Sequence, residues 1–340
     1  MLTVGGLAVA GSLSEVLAAC GSSNSSSAAG SAATPADVGV QLSWIKNVEF
    51  AGSYIADTKG YYRSSGVNVN LIAGGPTASI EPTVVSGKAL VGINTPDSTA
   101  AAVDQGAPLK IIASMYQKSP FAMMSLASAP IKTPQDLYGK KIGVQAANEP
   151  IWATFLKANN LDSSKITKVP VQFDPTPLAQ KQVDGWVSYV TNEPNLLKVK
   201  GVDTFTFLFN DYHYPVFTNT YFVTEQTLAD KAARANVVNF LRADIRGWQD
   251  SLKDPKLGAQ LTIDNYGKNL GLDVPEQTLE SQAANQLIES SDTIAHGLFW
   301  MTDERIADTV KTVALGGTQI TPALFTREIL EEVFQGKSTV

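Results

Sequence analysis

The chain has 340 residues, 44% of them hydrophobic and 17% charged, which is enough apolar mass for a large core and a length that suits two lobes better than one. Its net charge of -6 is carried by scattered residues, so no basic stripe of the kind that grips nucleic acid is present. The single cysteine, Cys20, excludes an internal disulfide framework and a thiol metal cluster, and the two distant histidines, His213 and His296, argue against a zinc site.

Residues 1–19 are small and apolar, with Glu15 the only charge, and they run into Leu17-Ala18-Ala19-Cys20-Gly21. The stretch is too short and glycine-rich for a convincing membrane span. It resembles a bacterial lipobox, which makes residues 1–20 a candidate signal peptide and Cys20 the candidate lipidation site; the alternative is an ordinary buried cysteine. No Lys or Arg precedes Lys46, so the basic region of such a signal is expected upstream of Met1. From Ser22 to Ala33 there is neither a charge nor a large apolar side chain. Residues 21–37 are therefore expected to act as a flexible tether with a reach of roughly 20–25 Å.

Beyond the tether, short β-rich runs alternate with helical segments. Strands are expected over 38–44, 67–72, 90–93 and 109–113, with helices over 50–62, 78–86 and 98–105 between them. That alternation predicts βαβ units and a parallel sheet covered on both faces. The pattern restarts with a short helix from Thr133, strands over 141–144, 166–172, 185–189 and 205–209, and a helix over 150–159. The extended segments 121–128 and 219–224 on either side read as crossovers between two lobes. Residues 38–125 and 220–340 are assigned to the first lobe and 126–219 to the second. Past Thr227 the pattern is helical over 228–252, 256–266, 275–290, 303–313 and 322–334, and these helices are expected to pack on the first lobe. Two α/β lobes joined twice make a cleft faced by strand ends and helix N-termini, where ligands bind in such sheets.

Motifs in this part resemble a known family. Trp44-Ile45-Lys46-Asn47 with Ala51-Gly52, then Ala56, Lys59-Gly60-Tyr61-Tyr62 and Gly66-Val67-Asn68-Val69, are similar to the opening of the thiamine-pyrimidine-synthase-like binding proteins. Val85-Ser86-Gly87, Gly106-Ala107-Pro108-Leu109 and Asp136-Leu137-Tyr138-Gly139-Lys140-Lys141-Ile142-Gly143 follow in order, so the resemblance spans residues 38–250. It implies a two-lobed, type II periplasmic-binding-protein-like α/β fold. The implied role is an extracytoplasmic solute-binding lipoprotein of an ABC importer, a monomer that delivers its ligand to a membrane permease without a cofactor. The wider family receives sulfonates, taurine, nitrate and pyrimidine precursors of thiamine. The Trp44…Asn47 block and Val183-Asp184-Gly185-Trp186…Thr191-Asn192-Glu193-Pro194 look most like the branch that binds formylaminopyrimidine or riboflavin. A eukaryotic relative is a self-consuming pyrimidine synthase that uses a histidine, a cysteine-rich stretch and pyridoxal phosphate. This chain has only Cys20 and no histidine in Gly92-Ile93-Asn94-Thr95-Pro96-Asp97, a departure that argues against an enzyme.

A heteroaromatic ring needs flat apolar faces and a few polar groups to orient it. Trp44 and Asn47 follow the first strand, and Tyr54 lies on the next helix, where a core role competes. Gly75 and Thr77 belong to a strand-to-helix loop that allows close backbone approach. Asn94 and Asp97 follow the next strand. In the second unit Asn148, Glu149 and Trp152 occupy a strand-to-helix turn, Trp186, Tyr189, Asn192 and Glu193 form the next group, and Tyr212 precedes the return crossover. This set is rich in amides and carboxylates, with Lys46 the only nearby base. Anion receptors use Arg or Lys with hydroxyls, so a neutral or cationic heterocycle is favoured over sulfonate or nitrate. No G-x-S-x-G, H-E-x-x-H or complete phosphate-binding loop occurs; Gln335-Gly336-Lys337-Ser338 lacks the first glycine, with Glu331 in its place.

Overall fold

The computed structural model describes residues 34–340. Cys20, the signal segment and residues 21–33 of the tether lie outside the described residues. Ten strands form two sheets: β1 (Ala36–Gln41), β2 (Val67–Ile72), β3 (Val91–Asn94), β4 (Leu109–Tyr116), β5 (Phe121–Leu126), β6 (Lys141–Gln145), β7 (Thr167–Val171), β8 (Gly185–Tyr189), β9 (Thr204–Leu208) and β10 (Thr218–Thr224). Helices α1 (Ala51–Thr58), α2 (Tyr61–Ser64), α3 (Ile80–Val85) and α4 (Pro96–Asp104) interleave with the first strands, and α5 (Glu149–Ala158), α6 (Thr176–Ala179) and α7 (Glu193–Val199) with the later ones. The C-terminal part carries α8 (Glu225–Ala229), α9 (Lys231–Lys253), α10 (Pro255–Leu261), α11 (Val274–Ile288), α12 (Ser291–His296), α13 (Asp303–Leu315) and α14 (Glu328–Phe334). Among the described residues no helix is long and apolar enough to cross a membrane.

The sheets repeat one plan. The first has the order β2-β1-β3-β10-β4 and the second β7-β6-β8-β5-β9. In the first, β1 pairs in parallel with β2 and β3, while β10 is antiparallel to β3 and β4. In the second, β6 is parallel to β7 and β8, while β5 is antiparallel to β8 and β9. The wholly parallel sheet expected from the alternation is thus corrected to two mixed ones. The segments read as crossovers, 121–128 and 219–224, are strands inside the sheets. A chain leaving the cleft end of β4 enters the second sheet from that same end, so it must run against the strands already there, and β10 repeats this on the return.

Local sequence sets several ends. Asp230 caps α9 by accepting from the Ala232 and Ala233 amides at 3.0 and 2.8 Å, which divides the helix expected over 228–252 into α8 and α9. Glu193-Pro194 opens α7, a helix not expected from the sequence pattern; proline suits a first turn that has no amide partner to lose. The first strand begins at Ala36, inside the stretch read as tether, and pairs there with Val67. The C-terminal helices do not serve the first sheet alone, since α11 also packs on α7 and α13 on α5.

Glycines let α1 and α9 pack at close range. A β-carbon on Gly247 would lie 2.0 Å from the Gly52 carbonyl oxygen, and one on Gly52 would lie 2.2 Å from the Trp248 ring. Beside this seam the buried Asp244 carboxylate accepts from Ser53 at 2.7 Å, from Tyr221 at 2.7 Å and from Tyr62, which joins α1, α2, β10 and α9. Burial pushes the Asp244 pKa up, and the three hydroxyls oppose that push. Gly247→Ala should destabilise the protein by about 2 kcal/mol or more, overriding the roughly 1 kcal/mol that alanine gains over glycine within a helix. Urea unfolding checks this; an unchanged or raised midpoint would contradict the packing.

Candidate functional site

The cleft between the sheets is lined by Ser43, Trp44, Glu49, Asn94 and Thr95 from one side and by Phe121, Ala147, Asn148, Tyr189, Asn192 and Glu193 from the other. Their placement follows from topology. Ser43 and Trp44 follow β1, Asn94 ends β3, Thr95 caps α4, Ala147 and Asn148 follow β6, and Tyr189 ends β8. The Trp44 loop is held by a bond from the Gly74 amide to the Trp44 carbonyl at 2.9 Å, and a β-carbon on Gly74 would sit 2.3 Å from the Leu42 carbonyl oxygen. The cleft has about 470 Å³ of atom-free space including its mouth, of which a cavity of about 40 Å³ takes the centres of water-sized molecules. That is room for a few waters and less than an aromatic ring fills.

Several bonds hold the sheets together around this space. The Ala147 amide donates to the Pro76 carbonyl at 3.0 Å, the Tyr189 hydroxyl to Asn219 Oδ1 at 3.0 Å, and the Thr154 hydroxyl to Asp97 at 2.8 Å. Asn192 donates to both oxygens of Glu280 at 3.1 and 3.0 Å.

The polar chemistry is that of carboxylates without cations. Glu49 Oε1 accepts from Asn219 Nδ2 at 2.8 Å and from the Ser43 hydroxyl at 3.2 Å; among the described residues nothing donates to Oε2. Glu193 accepts from Gln145 Nε2 at 3.1 Å and from the Tyr189 amide at 2.9 Å. Burial raises both carboxyl pKa values to about 7, hydrogen-bond donors pull the other way, and the Glu49 charge adds to the rise at Glu193. Glu280, on α11, is also raised, by burial first and then by Glu276, whose own value burial lifts to about 7. No lining residue is Lys, Arg or His. Such a wall accepts hydrogen bonds from N–H groups and repels anions.

Of the residues singled out from the sequence, Trp44, Asn94, Asn148, Tyr189, Asn192 and Glu193 line the cleft. The others do not line it. Asn47 is buried beneath the cleft, capping the Glu49 amide with Oδ1 and donating to Glu280 at 2.9 Å. Tyr54 is fully buried with its ring stacked on Tyr266 at 4.1 Å. Gly75 and Thr77 flank the Pro76 carbonyl that meets Ala147, with Gly75 buried and Thr77 exposed. Asp97 faces the contact with Thr154 and Tyr214. Glu149 pairs with Lys168 at 2.7 Å near the surface, Trp152 stacks towards Phe155, and Tyr212 sets its edge against Phe207 at 4.9 Å. Trp186 fills the core of the second sheet, where a β-carbon on Gly143 would meet its ring at 2.8 Å.

Sequence reasoning left out Ser43, Glu49, Thr95, Phe121 and Ala147 from the lining and Asn219 behind it. Glu49 lies two residues after Asn47, in the turn that caps the helix start beyond β1. Asn219 had a local sign only in retrospect: it sits at φ 51°, a left-handed conformation that asparagine tolerates better than most residues, and this places its amide between Glu49 and Tyr189.

This geometry has known counterparts. A family model described as "NMT1/THI5 like" matches residues 47–257, more than half of the chain. The chain belongs to the NMT1/THI5-like family. Among curated relatives, the riboflavin-binding protein RibY of Chloroflexus aurantiacus is 27% identical over 66% of this chain and 65% of its own length, so the chain spans just under two thirds of that relative. The formylaminopyrimidine-binding protein of Halalkalibacterium halodurans is 24% identical over 75% of this chain and 78% of its own. Among solved structures, the periplasmic aliphatic sulphonate binding protein SsuA of Escherichia coli superposes with a TM-score of 0.61 at 15% identity, covering 83% of this chain and 86% of that one. The desulfurization enzyme DSZB shares the fold too, with a TM-score of 0.57 at 11% identity over 88% of this chain and 99% of that one. The NMT1/THI5-like chain thus has the α/β periplasmic-binding-protein fold.

The raised carboxyl values make a prediction with a definite sign. A group whose folded pKa exceeds its unfolded value is most favourable to the fold below the unfolded value and costs stability as pH rises through the folded one. For Glu49 and Glu193 the window runs from about 4.5 to about 7. The ligand-free protein should therefore lose on the order of 2–3 kcal/mol between pH 5 and pH 8 for each of these groups, and a Glu49→Gln/Glu193→Gln variant should lose less. Urea unfolding at the two pH values tests this; equal losses in both proteins would contradict the assignment.

Proposed function

We propose that this NMT1/THI5-like protein is the extracytoplasmic solute-binding component of an ABC importer, anchored through lipid at Cys20, and that it captures a small aromatic heterocycle of the thiamine-pyrimidine-precursor or riboflavin type. The observation that carries the ligand class is the cleft itself. Trp44, Phe121 and Tyr189 offer aromatic surface, and Glu49, Glu193, Asn94, Asn148 and Asn192 offer oxygen acceptors and amides with no cation among them. A flat ring bearing N–H or amino groups satisfies both, by stacking and by donating to Glu49 Oε2. The names of the Chloroflexus and Halalkalibacterium relatives point to the same class.

In this reading the sheets are two lobes that part at the backbone crossings 117–120 and 209–217, admit the ligand, and close through Asn192–Glu280, Ala147–Pro76 and Tyr189–Asn219. The closed monomer then docks on the permease. The second reading, a sulfonate receptor, is favoured by the likeness to SsuA but meets buried carboxylates where an anion would need Arg or Lys.

A thermal-unfolding panel followed by circular dichroism, with riboflavin, formylaminopyrimidine, thiamine, taurine, an alkanesulfonate and nitrate, tests the proposal. A ligand at 100 times its dissociation constant stabilises the fold by about 2.7 kcal/mol. Stabilisation by a flavin or pyrimidine is expected, and stabilisation only by taurine, sulfonate or nitrate would overturn the ligand class. Trp44→Ala should weaken binding of the stabilising heterocycle at least about tenfold, the loss of a stacking face worth 1.4 kcal/mol or more, without unfolding the protein; unchanged affinity removes Trp44 from the site.

A further inference from the structure

Within β10, Asn219 holds a left-handed backbone, φ 51°, that strand residues do not ordinarily take, and it is fully buried. Such a residue persists only where its surroundings over-determine it. The flanking threonines do so: the Thr218 hydroxyl donates to Ser119 Oγ at 3.1 Å and the Thr220 hydroxyl to the Asn94 carbonyl at 2.9 Å. The Asn219 amide is then spent at both ends on groups that line the cleft. Its Nδ2 donates to Glu49 Oε1 at 2.8 Å, and its Oδ1 accepts from the Tyr189 hydroxyl at 3.0 Å. An ionised Glu49 can only accept, so it takes the amine end of Asn219 and leaves the carbonyl end to Tyr189. Ser43 at 3.2 Å is the second donor to Oε1. Among the described residues nothing donates to Oε2. That oxygen is also not one of the buried polar atoms sealed without a partner, so its accessible edge opens to the cleft that Glu49 lines.

Resting on the function proposed above, we infer that Asn219 is a positioning residue for the captured solute: it fixes the Glu49 carboxylate relative to the Tyr189 ring, leaving Oε2 as the acceptor for an N–H on the edge of a heterocycle stacked on that ring. Asn219 itself does not line the cleft. Glu49 comes from the side of the first sheet and Tyr189 ends a strand of the second, so Asn219 sets the spacing between acceptor and stacking face. A ring is then chosen by where its N–H lies relative to its face, and not by apolar area alone. The same bond acts on the Glu49 proton. Burial pushes the Glu49 pKa up to about 7, and Asn219 and then Ser43 are the donors that oppose it. The titratable groups in its field are all acids: Tyr54 on α1, Tyr116 on β4, Tyr189 on β8, Glu193 on α7 and Glu280 on α11. Among the described residues no Lys, Arg or His pairs with Glu49.

The test follows the Glu49 carboxyl through a pH titration of the ligand-free protein, by NMR of carbon-labelled glutamate, with Glu49→Gln identifying its signal. Asn219→Gly removes the side chain at a backbone angle that glycine takes without strain, so the strand keeps its course. Glu49 should then bind its proton at least about threefold more tightly. Asn219→Asp keeps the shape and the bond from Tyr189 but sets a second carboxyl against Oε1, and it should tighten proton binding by the pair about tenfold or more. A side chain that merely fills space predicts an unchanged titration in both variants, and that result overturns the proposal. Calorimetry with formylaminopyrimidine at pH 6 and pH 8 reads the consequence for binding. Wild-type affinity should rise between the two, because Oε2 accepts fully only when ionised, and Asn219→Gly should bind at least about tenfold more weakly at pH 8. Equal affinity of the variant and the wild type at pH 8 also overturns the positioning role. A wild-type protein that binds no formylaminopyrimidine counts against the ligand class argued above, and the titration alone then decides the role of Asn219.

Discussion

Each of the two sheets accepts one antiparallel strand delivered by the other, and this exchange constrains everything else in the molecule. Because β5 and β10 enter from the cleft side, the parallel strands β1, β3, β6 and β8 end at the cleft and their helices begin there. The loops after those strands are thus brought to face one another without any loop needing special length. The same exchange places Phe121, the first residue of β5, and Asn219, near the start of β10, at the crossing itself, where they meet Tyr189 from β8. In the proposed function hinge and binding wall are one piece of structure, so the cleft cannot change its opening without moving the groups that would touch a ligand.

The second consequence is electrostatic. Glu49, Glu193 and Glu280 are buried among neutral donors, and each carboxyl is held towards its protonated form. In the proposed function, a buried carboxylate with no cation beside it is a liability in the empty receptor, since it favours an open, hydrated arrangement at neutral pH. A solute that supplies N–H donors removes that liability. The differential between empty and occupied clefts is what a closing receptor needs, because a ligand shifts the open–closed equilibrium only by as much as it prefers one state.

Much of this was legible in the sequence, and the limits have physical reasons. The strand–helix alternation, with polar or aromatic residues after each strand, located Trp44, Asn94, Asn148, Tyr189, Asn192 and Glu193, because topology alone sends those positions to the cleft. It did not distinguish residues near a strand end by direction. Trp186 lies three residues before Tyr189 and points into the core against Gly143, while Asp97 is turned towards Thr154 and Tyr214. Phe121 and Asn219 were hidden because their segments read as connectors, a sheet strand and a crossover both being extended chain. Glu280 had no local signal at all, since α11 reaches the cleft from more than two hundred residues away along the chain.

The claim on which the account rests is that buried, cation-free carboxylates choose the ligand. It is tested most directly by titration calorimetry of riboflavin, formylaminopyrimidine and an alkanesulfonate into the wild-type protein and Glu49→Gln. A heterocycle is expected to bind the wild-type protein, Glu49→Gln to weaken it tenfold or more, about 1.4 kcal/mol, and the sulfonate to give no heat with the wild type. Sulfonate binding to the wild-type protein, with a heterocycle affinity unaffected by Glu49→Gln, would contradict it.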